Sequence, residues 1–96
     1  MDVPKCSSLG EIRYHIDELD RQIVVLLAIR GEYVKQAAQF KESENNIRDI
    51  KRLEQVISKV TSVAKEIGFD PGIIEQIYRS LIEIYIQLET KSFSRS

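Results

Sequence analysis

Residues 9–41 form one uninterrupted helical pattern, with no proline and no credible stop inside it. Ser8, followed three places later by Glu11, has the form of a capping box, in which hydroxyl and carboxylate each satisfy a free backbone N–H at the helix start. Beyond it Ile12, Ile16, Leu19, Ile23 and Leu26 recur at four-three spacing, and Leu9, Val24, Val25 and Leu27 widen the stripe. The same count then lands on Arg30, Val34, Ala37 and Lys41. Two cations stand where the pattern asks for apolar side chains.

Arg30 and Lys41 are eleven residues apart, which on a helix is about three turns and about 16 Å on one face. Arg13 precedes Arg30 by seventeen residues, about 100° round the helix and about 25 Å away, too far to share a site with it in one chain. A helix over 9–41 would be about 50 Å long, whereas a compact chain of this length has a radius of gyration of about 12 to 13 Å. Part of the helix must project and needs cover from another chain. The expected assembly is an intertwined homodimer, in which Arg13 reaches the partner's site.

Composition limits the function classes. At 43% hydrophobic and 30% charged residues the chain has an ordinary globular balance, and 96 residues make one domain, 1–96, that gains from oligomerisation. A net charge of −1 gives no reason to expect nucleic acid or an anionic membrane. Cys6 is the only cysteine and His15 the only histidine, so a disulfide within the chain is impossible. His15 has no second ligand among its helix neighbours, and neither a metal site nor a histidine-based triad is expected. Nor is any cofactor. Without a signal peptide or a run of about eighteen apolar residues, the expected location is cytoplasmic.

The remainder is helical too. Residues 1–7 read as a loose arm. The polar 42–48 segment ends the first periodicity and reads as a loop that could close over whatever Arg30 faces. Ile50, Leu53, Ile57, Val60, Ala64 and Ile67 mark a second helix that Gly68 stops. Arg52 lies near its start, where a cation opposes the helix dipole. Asp70-Pro71 opens a third helix, with Ile74, Ile77, Leu81, Ile84 and Leu88 as its core stripe. A second ridge of Tyr78, Ile82, Tyr85 and Ile86 ends at Glu89, the helix runs to about Lys91, and residues 92–96 fray. The fold class is all-α, three helices per chain.

The residues that carry chemistry are Arg13, Arg30, Lys41 and Arg52, with Asp49 and Glu89 as acidic companions. Guanidinium groups against an apolar wall suit a small dicarboxylate, each arginine holding a carboxylate through paired charge-assisted hydrogen bonds. No nucleophile, metal set or phosphate loop accompanies them, so an enzyme built this way works by orienting substrate and stabilising developing charge. Plainer roles fit the same residues: Arg13 pairing with Asp17, Arg30 and Lys41 snorkelling, Asp49 capping a helix, Glu89 a surface carboxylate.

Ile12-Arg13, Ile16-Asp17, Asp20, Ile23, Leu27 and Arg30 together resemble the first helix of the all-helical, type II chorismate mutase family. Tyr33-Val34-Lys35, Ala37-Ala38 and Phe40-Lys41-x-Ser43-Glu44-x-x-Ile47 are similar to its isochorismate pyruvate lyase branch, which makes salicylate for siderophores. The resemblance covers about residues 9–91 and implies three helices in an intertwined dimer. It implies that Arg30, and Arg13 of the partner chain, bind the substrate carboxylates. Lys41 would sit by the ether oxygen of the enolpyruvyl group, and Arg52 would close over the ligand. Glu89 falls where most members have a glutamine that donates to the ether oxygen, so activity should rise toward acid pH unless burial keeps Glu89 protonated.

Two activities stay open on this resemblance. The loop and the aliphatic Leu53, where many mutases have a glutamate for the ring hydroxyl, favour the lyase. Asp49 looks mutase-like, and one site could serve both pericyclic reactions. An amino-substituted chorismate is a further candidate substrate. The competing class is a non-catalytic helical dimer, in which Arg30→Ala would change neither stability nor ligand binding.

Overall fold

A computed structural model describes residues 1–95, arranged as three helices: α1 (Leu9–Ala38), α2 (Ile50–Ile67) and α3 (Pro71–Arg95), with one turn of 3₁₀ helix, Glu44–Asn46, between α1 and α2. No strand occurs among the described residues. The third helix packs against both others. The molecule measures 54 × 25 × 15 Å with a radius of gyration of 16.6 Å, well above the 12 to 13 Å or so of a compact chain this long.

Local signals set most boundaries. Ser8 is extended and its Oγ accepts from the Glu11 N–H at 3.1 Å. The return half of the capping box shifts by one residue: Glu11 Oε2 accepts from the N–H and the hydroxyl of Ser7 rather than from Ser8. Asp49 caps α2 through Oδ1, which accepts from the Arg52 N–H at 3.0 Å. Gly68 ends α2 at φ 79°, a conformation only glycine adopts without strain, and Phe69 N–H closes the cap on the Ala64 carbonyl. Asp70 Oδ1 accepts from the Gly72 N–H, and Pro71 takes the first helical position.

Two ends differ from expectation. The first helix stops at Ala38, not Lys41, because its last N–H groups, those of Gln39, Phe40 and Lys41, bond three residues back instead of four. Lys41 therefore begins the loop, and it shares no helical face with Arg30. Residues 92–95 continue α3 rather than fray, with Ser92 and Phe93 half-buried and Ser94 Oγ 3.4 Å from Glu44 Oε1; Ser96 lies outside the described residues.

The core is small: Ala38, Ile47, Ile57, Ala64 and Ile82 are its buried apolar residues. On α3 the second ridge is the more deeply buried: Ile74, Leu81 and Leu88 of the expected core stripe are half-buried and Ile77 and Ile84 are 52% and 61% exposed, whereas Ile82 and Glu89 of the second ridge are buried. The first helix meets α3 only through its C-terminal half, where Leu27, Arg30, Gly31, Val34 and Ala38 turn inward. Further toward its start Ile12, Ile16, Leu19, Ile23 and Leu26 stay 42–64% exposed. Full burial of such a side chain is worth about 1.5–3 kcal/mol, so this stripe leaves uncollected a sum comparable to the whole stability of a small domain.

Candidate active site

The inward half of α1, the loop and the facing sides of α2 and α3 enclose a cavity of about 340 Å³. Arg30, Lys41, Asp49, Arg52 and Glu89 all line it, and Val34, Ile47, Leu53, Val56, Ile82 and Ile86 supply an apolar wall. Five of the six residues singled out in the sequence thus meet at one place. Arg13 does not: it is exposed on the projecting part of α1 and is absent from the lining.

Each lining residue is placed by a local cause. Arg30 follows from the α1 register, and its guanidinium carbon lies 4.5 Å from the centre of the Tyr85 ring. Its Nη1 is buried without a hydrogen-bond partner. Lys41, at the first residues of the loop, donates from Nζ to the Asn46 carbonyl at 3.4 Å. Asp49 and Arg52 sit at the start of α2, so the capping and cavity-lining roles of Asp49 coincide in one residue. Arg52, although unfavourable with respect to the helix dipole, faces the same cavity.

Glu89 is only 7% exposed, and its Oε2 is buried without a partner, which rules out a plain surface carboxylate. Burial pushes its carboxyl above the usual range, and the nearby Lys41 charge opposes that shift in part. A neutral carboxyl here can donate a hydrogen bond where a glutamine would. Together the unpartnered Arg30 Nη1 and Glu89 Oε2 provide a donor and a titratable group with unmet hydrogen-bonding capacity.

The loop is tied down around this cavity. Ile47, its lone apolar residue, is buried and forms part of the wall. Next to it Arg48 makes a two-pronged bond to Glu83 of α3, Nη1 to Oε2 at 2.8 Å and Nη2 to Oε1 at 2.5 Å. The guanidinium hydrogen bonds hold the Glu83 carboxyl below its usual range. Neither Arg48, Glu83 nor Tyr85 was a candidate site residue on sequence grounds. Tyr85 had one available signal: it lies one helical turn before Glu89 on the same ridge.

His15 is exposed and packs edge-on against Tyr14, 5.5 Å between ring centres. The expectation that its helix neighbours offer no second ligand is corrected: Glu11, one turn earlier on α1, and Cys6 of the arm place donor atoms within 4.8 Å of one another and of His15. Three donors fall short of the four of a closed tetrahedral zinc site, and Glu11 Oε2 is already committed to Ser7. Among the described residues, no helix is long and apolar enough to cross a membrane.

Comparison with known proteins is consistent with this geometry. The chain is 35% identical over 86 residues to an isochorismate pyruvate lyase of Pseudomonas aeruginosa, covering 90% of this chain and 85% of that one. It is 34% identical over 76 residues to a chorismate mutase of Methanocaldococcus jannaschii, covering 78% and 77%. It is also 32% identical over 90 residues to a bifunctional chorismate mutase/prephenate dehydratase of Buchnera aphidicola, covering 93% of this chain but only 23% of that larger protein. The sequence pattern of type II chorismate mutases matches residues 12–90, and this chain belongs to that family.

Proposed function

We propose that the chain is an isochorismate pyruvate lyase that works as a homodimer, with Arg13 of each protomer completing the site of the other. The observation that carries this reading is the cavity that gathers Arg30, Lys41, Arg52, Asp49 and Glu89 against an aliphatic wall. Arg30 and the partner's arginine hold the two carboxylates. Lys41 stabilises the ether oxygen as its bond to the ring breaks and a ring hydrogen passes to the enolpyruvyl methylene, leaving salicylate and pyruvate. Arg52 closes over the ligand. Glu89, whose carboxyl pKa is raised by burial, donates to the same oxygen in its protonated form.

Similarity to the Pseudomonas lyase across most of both chains supports the lyase over the mutase, as does Leu53 on the cavity wall. The second reading is chorismate mutase proper, favoured by Asp49 at the cavity and by the Methanocaldococcus relative at nearly equal identity. The homodimer is supported by the uncovered α1 stripe and by Arg13 lying on the projecting end.

Offering chorismate and isochorismate separately at pH 5 and pH 7.5 tests this. Salicylate with pyruvate from isochorismate is the expected result. Prephenate from chorismate without salicylate would establish the mutase. Neither product at either pH would leave a non-catalytic helical dimer in first place.

A further inference from the structure

The contact between Arg30 and Tyr85 holds more than one group in place. Tyr85 reaches from α3 across to α1, and its hydroxyl donates to the Leu27 carbonyl, one turn before Arg30. Its ring passes beside Gly31, where an added Cβ would stand 3.6 Å from Tyr85 Cε2 and 3.4 Å from Leu88 Cδ2. Both are ordinary van der Waals distances, so the ring lies directly against this stretch of α1. Fixed at both ends, the ring presents its face to the Arg30 guanidinium at 4.5 Å. The ring supplies no hydrogen-bond acceptor in exchange, and Arg30 Nη1 stays buried and unpartnered.

That combination is unusual for an arginine serving only stability, because a buried guanidinium is ordinarily satisfied by carboxylates or carbonyls. A cation–π contact fixes the plane of the guanidinium while leaving its N–H edge unused. A carboxylate arriving in the cavity then meets a donor fork already oriented, with little rotamer freedom left to lose.

We propose that Tyr85 is the positioning residue for Arg30: its ring, pinned to the Leu27 carbonyl and seated against Gly31, sets the guanidinium plane that receives the substrate carboxylate. This rests on Arg30 being the carboxylate clamp. The two parts of the side chain have separable work: the ring holds the cation, and the hydroxyl holds the ring. Tyr85→Phe keeps the first and loses the second, whereas Tyr85→Leu loses both.

Kinetics and nitrogen-edited NMR on the full-length chain test the assignment together. Tyr85→Leu should raise KM for isochorismate about tenfold, the factor expected from losing a desolvated cation–π contact, with a smaller change in kcat. Tyr85→Phe should fall between it and the parent. In an Arg30→Lys background, Tyr85→Leu should have little further effect, because the planar cation it positions is gone.

The Arg30 Nε–Hε resonance, identified by its absence in Arg30→Lys, should be displaced upfield by the ring current in the parent and in Tyr85→Phe. It should return toward its ordinary position in Tyr85→Leu. Tyr85→Met, which fills the space without a ring, serves equally if Tyr85→Leu loses its helical circular dichroism. Additive effects of the two substitutions, or an unmoved Arg30 resonance in a folded ringless variant, would overturn the proposal. The resonance needs no turnover, so failure to convert either substrate would count against the lyase and mutase readings alone.

Discussion

The two halves of α1 carry one apolar rhythm and meet opposite fates. Toward the start, Ile12, Ile16, Leu19, Ile23 and Leu26 keep about half their surface in water. Toward the end, Gly31 and Ala38 are buried, and Arg30 is held between α1 and the Tyr85 ring. The difference lies in what stands opposite, since α3 covers only the second half. The uncovered stripe is what the proposed homodimer would bury, while the interrupted one faces the cavity on which the proposed function rests.

The largest effect expected from this contrast follows a charge placed on the uncovered half. Ile16→Asp should abolish association and with it much of the helical signal and all turnover, read by light scattering and circular dichroism. In a stable monomer the change would be nearly silent, because an exposed position tolerates aspartate. A parent protein that runs as a folded monomer would break the contrast outright.

Mixing chains sharpens it. Arg13→Ala and Arg30→Ala should each be inactive alone. After mixing and re-equilibration they should recover about a quarter of parent activity, since half the dimers are mixed and each mixed dimer has one intact site. No recovery in chains shown to exchange would place Arg13 outside the partner's site.

A smaller, pH-dependent effect belongs to Glu89. Its carboxyl is raised mainly by burial, so the folded state favours the proton: this stabilising contribution is complete below the ordinary carboxylate range and is lost as pH rises through the raised value. Activity of the parent should fall in the same direction. Glu89→Gln, a permanent donor, should flatten both profiles and be the faster and more stable form at pH 8. A parent profile flat from acid to neutral, with Glu89→Gln no faster at pH 8, would show that Glu89 does not work through its proton. Glu83, six residues earlier, is shifted the other way by Arg48, so acid also loosens the loop contact. The Glu89 profile is therefore best read on the alkaline side.

Most of the cavity's charged lining was legible in the residues, because a charge within or beside an apolar stripe is conspicuous whatever the fold. Arg30, Lys41, Asp49, Arg52 and Glu89 could be named before their convergence was visible. Lys41 was assigned to the site through a helical register that stops short of it, and the loop delivers it there instead. Tyr85 stayed hidden because an aromatic residue at helical spacing looks the same whether it fills a core or carries a guanidinium. Arg48 and Glu83 stayed hidden because their pairing spans 35 residues and leaves no periodic trace.

Sequence alone determined the three helices and most of their limits, since Ser8, Asp49, Gly68 and Asp70-Pro71 act over one turn through backbone groups that need no distant partner. Tertiary structure decided which ridge of α3 is buried, where α1 gives way to the loop, and that Glu89 is enclosed rather than exposed. Those outcomes depend on which surfaces stand opposite one another. Both ridges of α3 are apolar enough to be buried, and only the placement of α1, α2 and Ile47 settles which of them loses its water.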